Sequence, residues 1–299
     1  MQPLAIQYPI SPLGKQLRVM QWGMEGPAVL LLHGLGSRAD IWRLFAPLVA
    51  AQGYRCFAID MPGHGLSWKG SDFDYSITGH VPLIEAICQE IGETSVDLIG
   101  SSLGGIHAAA FAAQRPSMVR SLTLVGAIGL KVMTPERCEW TASYLSDMSR
   151  DSIAARLARA VFDPSIFDQA YIEESYRINN SPGAASAWSA IATYYRQGIN
   201  DDTQTQALAA LKGAVPILLL WGKDDPTVAY EGALEAVEVI AGSTLVGIAE
   251  TKHMPQLERP QISAEYVLRL IRKDPAYQLP GKADASPSLE IIRHQDRTP

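Results

Sequence analysis

The sequence has few cysteines, no long apolar run and no excess of basic residues. Cys56, Cys88 and Cys138 are the three cysteines among 299 residues, and they are widely separated and lack CxxC spacing. We therefore expect neither a disulfide framework nor a thiolate zinc site, and a cytoplasmic location. No apolar stretch reaches the roughly 18 residues of a membrane span, and no basic segment precedes an apolar one near the N-terminus. Neither a membrane span nor a secretory signal is expected.

The charge balance excludes another group of partners. The formal net charge is −6, and a mildly acidic chain lacks the concentrated basic surface that nucleic acids and anionic membranes require. Hydrophobic residues make up 47% and charged residues 19%, which is ordinary for a globular protein. A chain of this length buries about three-quarters of its unfolded surface, so it can hold a core without metal or disulfides. We expect no cofactor and no metal, and a monomer or homodimer.

Short apolar runs alternate with amphipathic segments along most of the chain. Runs such as Ala28–Leu32 and Pro216–Trp221 are continuously apolar, which is typical of strands buried on both faces. The alternation predicts an α/β fold, a mostly parallel twisted sheet wrapped by helices. Strands are predicted at 4–10, 17–23, 28–32, 54–59, 96–99, 122–125, 216–221 and 244–248, and helices at 38–51, 77–91, 103–114, 229–240 and 260–272.

The alternation stops near Leu130 and resumes near Pro216, and this interval predicts several helices rich in aromatic residues. Inserted after the sixth strand, at the carboxyl edge of the sheet, such helices would form a cap or lid over the strand ends. An independent helical domain beside the sheet is the alternative. The predicted division is a core of residues 1–130 and 214–273, a helical cap of residues 131–213 and a C-terminal extension of residues 274–299.

The extension is punctuated by proline and lacks periodicity. Asp274-Pro275, Pro280-Gly281 and Ser286-Pro287 interrupt it. We expect an extended or mobile segment whose removal leaves the fold intact, although Leu289–Ile292 could dock on the domain.

One strand-to-helix junction carries the pattern Gly100-x-Ser102-x-Gly104. A turn this tight lifts one side chain clear of the sheet, and glycine two residues to either side avoids Cβ clashes. Ser102 would then lie at a helix N-terminus, where free N–H groups favour negative charge. Ser101 lacks the flanking glycines. We predict that Ser102 is a nucleophile; the alternative is a purely structural turn.

A serine hydroxyl needs an adjacent base at neutral pH. His253 follows the last predicted strand, so its loop would reach across the carboxyl edge of the sheet, and we predict that it is this base. A structural, hydrogen-bonding histidine is the alternative. The five other histidines are His33, His64, His80, His107 and His294.

The base in turn needs a carboxylate to orient it. Asp224 and Asp225 both follow the penultimate strand, and Asp225 is preferred. The chain order Ser102, Asp225, His253 matches one of the known orders of a Ser-His-Asp triad. Two backbone N–H groups would stabilise the oxyanion: that of Leu103, just after the nucleophile, and that of Leu35 in the His33–Gly36 loop.

Together these segments resemble the α/β-hydrolase superfamily. The matching segments are His33-Gly34-Leu35-Gly36, Asp60-Met61-Pro62-Gly63-His64-Gly65-Leu66-Ser67, Gly100–Gly105, Gly222-Lys223-Asp224-Asp225-Pro226 and His253 with Glu258-Arg259-Pro260, in the family's order over about residues 25–272. In that family the acid stands three residues after the strand-end glycine, which is Asp225 here. The Asp60 turn and Glu258-Arg259-Pro260 resemble structural motifs of the family.

The resemblance implies a carboxylesterase- or lipase-like serine hydrolase acting on a small molecule with an apolar portion, by way of an acyl-enzyme. Leu124–Leu130 is similar to lipases and to hydrolases of ring-cleavage diketones, so C–C bond hydrolysis of a β-diketone is the main alternative. The diketone hydrolases tend to carry Asn and Trp where this chain has Ser101 and Met254. A thioesterase, a lactonase and a ligand receptor on the same fold are the remaining possibilities.

Overall fold

The structure, a computed structural model, describes residues 4–273 and 288–294. Within these residues nine strands form one sheet. The strands are β1 (Ile6–Ile10), β2 (Leu17–Trp22), β3 (Ala28–Leu32), β4 (Arg55–Ile59), β5 (Val96–Ser101), β6 (Val119–Val125), β7 (Ile217–Gly222), β8 (Ser243–Ile248) and β9 (Leu289–Arg293). Their order across the sheet is β1-β2-β4-β3-β5-β6-β7-β8-β9.

The central strands β3 to β8 pair in parallel, and the pairs β1–β2, β2–β4 and β8–β9 are antiparallel. The predicted fold class, a mostly parallel sheet wrapped by helices, is confirmed. The helices are α1 (Ala46–Ala50), α2 (Ile77–Glu90), α3 (Leu103–Gln114), α4 (Pro135–Tyr144), α5 (Arg150–Ala160), α6 (Gln169–Asn179), α7 (Ala184–Gln197), α8 (Thr205–Ala209), α9 (Tyr230–Val239), α10 (Pro255–Glu258) and α11 (Pro260–Ile271).

One predicted helix is broken. The expected helix over 38–51 is a 3₁₀ turn at Ala39–Trp42 followed by the short α1. Pro47 explains the break, because proline lacks the N–H for an interior helical bond and fits only in a first turn. A new helix therefore begins at Ala46 rather than continuing from the turn.

Both faces of the sheet are covered, which accounts for the continuously apolar strands. In β3, Leu30 and Leu32 belong to one apolar cluster with α2, α3 and α9, while Val29 and Leu31 belong to a second with α1 and α11. All four side chains are fully buried. Burying one such side chain contributes roughly 1.5–3 kcal/mol, so both layers of helices hold the strands in register.

The crossover between β3 and its neighbours creates a crevice at the carboxyl edge of the sheet. β3 pairs with β4 on one side and with β5 on the other, so the loops after β3 and β5 leave in opposite directions. The backbones approach closely there, since a Cβ atom on Gly34 would lie 2.8 Å from Ser102 Cβ. This edge is where a site on such a sheet is expected.

Helices α4 to α8 connect β6 to β7, and α4 and α7 pack over the start of α3. Leu145, Trp188 and Ile191 share a buried apolar cluster with Leu103 and Ile106 of α3. The inserted helices are therefore joined to the sheet layer by a continuous apolar contact at the serine end of α3.

Part of the C-terminal extension forms a strand. Leu289–Arg293 is β9, which pairs with β8 from Thr244–Arg293 to Ile248–Leu289. Leu289 and Ile291 pack against one apolar cluster, and Ile292 packs against the other. Residues 289–292, for which docking on the domain was considered from the sequence, therefore pair with the edge of the sheet at β8. Residues 274–287 and 295–299, where an extended or mobile tail was expected, lie outside the described residues.

In the part of the chain that the structure describes, no helix combines the length and the apolar character needed to cross a membrane.

Candidate active site

Ser102 occupies a strained turn between β5 and α3. Its φ is 52° and its ψ is −116°, a combination that a residue with a Cβ atom rarely adopts. A Cβ on Gly104 would lie 2.6 Å from the Leu32 carbonyl oxygen, and one on Gly100 would overlap the carbonyl of Gly104. Both glycines are therefore sterically required. The turn projects the serine above the carboxyl edge of the sheet.

Two backbone N–H groups near Ser102 are available to a ligand. Among the described residues, neither the Leu35 N–H nor the Leu103 N–H donates to a protein acceptor. Leu103 is the first residue of α3, where N–H groups have no intrahelical partner, and Leu35 follows β3 and lines the same cavity as Ser102. These are the two donors named from the sequence.

Asp225 and His253 form a buried pair. His253 Nδ1 donates to Asp225 Oδ2 over 2.7 Å, while Asp225 Oδ1 accepts from the N–H groups of Thr227 at 2.7 Å and Val228 at 3.0 Å. The Asp225 side chain is completely buried, whereas Asp224 is exposed. Because Nδ1 donates to the carboxylate, Nε2 is left as the acceptor of the neutral imidazole.

Ser102 and His253 line one cavity, and no hydrogen bond joins Ser102 Oγ to the imidazole among the described residues. Catalytic hydrogen bonds are often loose without substrate and tighten when it binds. The structure thus brings the aspartate and histidine into direct contact and places the serine at the same cavity wall.

Gly126, at the end of β6, makes room for the Asp225–His253 pair. Its φ is 51°, and a Cβ atom there would lie 3.1 Å from His253 Nδ1 and 3.3 Å from Asp225 Oδ2. In the sequence this segment, Leu124–Leu130, is noted only for its resemblance to lipases and diketone hydrolases. The strand-end position of Gly126 was the available signal for its steric role.

Glu258 holds the loop that carries His253. Its Oε1 accepts from the N–H groups of Lys252 at 3.0 Å and Met254 at 3.2 Å, and its Oε2 accepts from the Phe162 N–H at 2.6 Å. The His253 N–H itself donates to the carbonyl of Ala160 over 2.9 Å. The histidine loop is therefore tied both to its own α10 and to the end of α5 in the inserted helices.

Four other histidines are buried away from this pair. His33 is fixed on both sides, since its Nδ1 donates to the Gly34 carbonyl at 2.8 Å and its Nε2 accepts from the Met61 N–H at 3.0 Å. Burial lowers the pKa of His33 to about 4 and that of His64 to about 3. His80 and His107 stack with ring centroids 3.5 Å apart. These side chains act in packing rather than as the base.

The cavity above Ser102 has a volume of about 480 Å³ and is mainly apolar. Several aromatic side chains of the inserted helices face it, while Trp188, Tyr194 and Phe167 are buried in the core instead. The aromatic residues that the inserted helices place at the cavity wall are Trp140, Tyr144, Tyr171 and Tyr195, and Trp221 of β7 lines it from the sheet. Within the described residues no group of three or more His, Cys, Asp or Glu side chains is arranged to hold a metal ion.

Comparison with known proteins places these features in a family. The model of the alpha/beta hydrolase fold family matches residues 27–260. The chain is 27% identical over 251 residues to monoacylglycerol lipase ABHD6 of Rattus norvegicus, covering 81% of this chain and 74% of that protein. It is 26% identical over 266 residues to the 2-hydroxy-6-oxo-6-(2'-aminophenyl)hexa-2,4-dienoic acid hydrolase of Metapseudomonas resinovorans, covering 87% and 89%.

Solved structures agree on the fold. The 2-hydroxy-6-oxo-6-phenylhexa-2,4-dienoate hydrolase of Rhodococcus sp. strain RHA1 superposes with a TM-score of 0.81 at 20% identity, covering 90% of this chain and 99% of that one. At this identity the similarity establishes the architecture alone.

Proposed function

Because this chain belongs to the alpha/beta hydrolase fold family, we propose that it is a serine hydrolase that cleaves a carboxylic ester through an acyl-enzyme. Ser102 Oγ attacks the ester carbonyl carbon while His253 Nε2 takes the hydroxyl proton. His253 then returns the proton to the departing alcohol. A water molecule repeats the sequence on the acyl-enzyme, which releases the acid and restores Ser102.

Asp225 and two amides supply the electrostatic part of this mechanism. Asp225 holds the His253 tautomer and stabilises the imidazolium that forms after proton transfer. The N–H groups of Leu35 and Leu103 stabilise the oxyanion of the tetrahedral intermediate, and one such donor is worth about 3–4 kcal/mol in the transition state. Ser102, His253, Asp225 and these two amides are sufficient for both steps.

The helices of residues 131–213 act as a cap in this proposal. They supply about half of the residues at the cavity wall. The Ala160 carbonyl accepts from the His253 N–H, and the Phe162 N–H donates to Glu258, which holds the histidine loop. Substrate binding in the cavity is thereby coupled to the position of His253.

One observation supports the proposal most strongly. Ser102 is held in a disfavoured backbone conformation at the same cavity that His253 lines, with the Asp225 contact behind it. Backbone strain of about 1–3 kcal/mol must be offset elsewhere in the fold, so it is found mainly where it serves a function. Here the strained turn projects the Ser102 hydroxyl above the edge of the sheet, as a nucleophile requires.

The test combines substrates and a single variant. Purified protein is assayed against p-nitrophenyl esters of graded acyl length, beside a thioester and a β-diketone. Ser102→Ala is expected to reduce ester turnover by roughly 10⁴-fold or more, because the nucleophile is lost, with little change in Tm. Ser101→Ala is the matched control and should retain activity. Near wild-type rates for Ser102→Ala would refute the assignment.

C–C bond hydrolysis is the second candidate, since one relative on which most of the chain aligns is named as a dienoic acid hydrolase. The same serine and histidine would serve, with a carbanion rather than an alkoxide as leaving group. Ser101 and Met254 replace the Asn and Trp that are usual beside the site in that group. Turnover of the β-diketone faster than of every ester in the panel would favour this candidate.

A further inference from the structure

The wall of the cavity is basic although the chain as a whole is acidic. Glu231 is the one acidic residue on the described wall, in a chain of net charge −6. Against it stand five basic residues: Arg38, Lys131, Arg137, Arg156 and Arg159. The charged residues of the wall are therefore mostly basic in an acidic protein, which favours an anion there.

Two of these cations are already neutralised by carboxylates. Lys131 pairs with Glu235 at 2.6 Å, and Arg38 pairs with Glu174 at 2.6 Å. The three that remain are on the cap helices α4 and α5, and none of them has a carboxylate partner among the described residues.

Arg137 and Arg159 are held by backbone carbonyls around one indole. Arg137 donates to the Thr227 carbonyl at 2.9 Å and Arg159 to the Pro226 carbonyl at 3.0 Å. Their Cζ atoms lie 4.5 Å and 5.2 Å from the centre of the Trp140 ring. These contacts fix both guanidinium groups at the side of the cavity next to the Asp225 loop.

Arg156 is the least compensated of the three. Its hydrogen-bond acceptor among the described residues is the Met148 sulfur at 3.1 Å, a weak acceptor, and its Cζ lies 4.6 Å from the centre of the Tyr144 ring. Burial lowers the pKa of Arg156 to about 10, and no carboxylate opposes the shift. The guanidinium nevertheless stays charged at neutral pH, with most of its five N–H donors unused by protein.

Arg150 on the same helix provides a contrast. It forms a two-pronged ion pair with Glu173, at 2.6 Å and 3.1 Å, and lies outside the cavity. The sequence thus gives an acidic partner to the arginine at the surface and none to the arginine at the cavity wall. Leaving a partly buried cation without a partner costs stability unless a ligand supplies the anion.

We propose that Arg156 binds a carboxylate of the substrate, so that the natural substrate is an ester that also carries a free carboxylate group. This inference rests on the proposed ester hydrolysis. The planar guanidinium can bind a carboxylate through two parallel N–H···O bonds, and the apolar remainder of the cavity accommodates the carbon skeleton. The contact with the Tyr144 ring helps to hold the guanidinium at the cavity wall.

The experiment compares substrates that differ only in charge. Monomethyl adipate is compared with dimethyl adipate for a charge on the acyl side, and 4-carboxyphenyl butyrate with its methyl ester for a charge on the alcohol side. The wild-type protein is expected to prefer the charged member of at least one pair, by about 10–100-fold in kcat/KM. Arg156→Met should abolish that preference, so that the charged and neutral members of the pair have similar kcat/KM values.

Arg150→Met is the matched control, since it makes the same change on the same helix outside the cavity, and it should keep the preference. A wild-type protein that hydrolyses the neutral esters but shows no preference for charge would overturn the role of Arg156 and leave the ester hydrolase intact. An unchanged preference for the charged ester in Arg156→Met would also overturn the role of Arg156. A phosphonate analogue of monomethyl adipate that outperforms the carboxylate would overturn the choice of carboxylate.

A binding measurement separates the two proposals when no ester is hydrolysed. Adipate is titrated calorimetrically into Ser102→Ala and into the double variant Ser102→Ala/Arg156→Met. Tighter binding by about tenfold or more to the single variant supports the carboxylate site whatever bond the enzyme cleaves. Equal binding, or none to either protein, would overturn it.

Discussion

At the scale of single residues, burial and hydrogen bonding distinguish two neighbouring aspartates as partners of His253. Asp225 accepts three hydrogen bonds, from His253 Nδ1 and from the N–H groups of Thr227 and Val228, so its lone pairs are well satisfied. Asp224 is exposed and its backbone N–H bonds to the Thr251 carbonyl at 3.1 Å. The two neighbours therefore have unequal expected roles.

Asp225→Asn should lower kcat for ester hydrolysis by about 10³–10⁴-fold, because an amide at this position favours the wrong histidine tautomer. Asp224→Asn should change kcat by less than about threefold, since the side chain points to solvent. Steady-state kinetics of both variants, with Tm values to confirm folding, makes the comparison. A greater loss in Asp224→Asn would move the acid by one position.

Sequence patterns identify these site residues for a specific physical reason. Ser102, Asp225 and His253 each follow a buried strand, and the carboxyl ends of parallel strands meet at one edge, so their convergence is predictable. The family spacing already favours Asp225 over Asp224, and the structure adds that Asp225 is buried against His253 while Asp224 is exposed. Their roles in catalysis remain predictions.

At the scale of elements, contacts between distant segments are what the sequence could not provide. Glu258 is hydrogen-bonded to Phe162, 96 residues away in the chain. Arg156 looks in sequence like any polar residue of an amphipathic helix, and its place at the cavity wall depends on how α5 packs. Local patterning identifies the helix but not the surface it faces. The inserted segment is for this reason the part of the fold least predictable in detail.

Four buried histidines pack together, two from the loops after β3 and β4 and two from helices α2 and α3. His33 lies 5.1 Å from His64 between ring centroids, and His80 stacks on His107. Burial lowers the pKa of His33 and of His80 to about 4, and it lowers the pKa of His107 well below its usual value. His64 Nε2 and His107 Nε2 are buried, and neither has a hydrogen-bond partner within residues 4–273 and 288–294. All four rings are therefore held neutral.

This packing predicts acid sensitivity. Below about pH 6.5 the unfolded chain binds protons on these histidines while the folded protein does not until about pH 4, so stability falls as the pH drops through that window. Each histidine contributes up to about 1.4 kcal/mol per pH unit. Urea unfolding between pH 7.5 and 4.5 should show this slope.

His107→Phe should reduce the slope, because one titrating group is removed while an aromatic ring remains in the stack. The measured quantity is the free energy of unfolding of both proteins at each pH. Equal slopes for the variant and the wild type would mean that His107 does not contribute.

At the scale of the whole molecule, the sheet ends on a strand from the C-terminal extension. All residues of β8 are buried, and β9 covers its outer edge. A fully buried strand left at the edge of a sheet exposes unpaired backbone groups and apolar side chains, which favours association between molecules. The sequence pattern of the tail predicts an extension that can be removed without loss of the fold. The pairing of β9 with β8 instead predicts that removing the extension destabilises the protein.

A chain ending at Lys273 should therefore be less stable than the full chain by about 2–4 kcal/mol, from the lost burial of Leu289, Ile291 and Ile292. It should also associate as its concentration rises, since the edge of β8 is then open. A chain ending at His294 keeps β9 and is the matched control, and Ile291→Ser weakens the strand without shortening the chain. Thermal unfolding and light scattering compare the four proteins. Equal Tm values and no concentration dependence in the Lys273 truncation would show that β9 is dispensable, because the control differs from it chiefly by that strand and the segment leading to it.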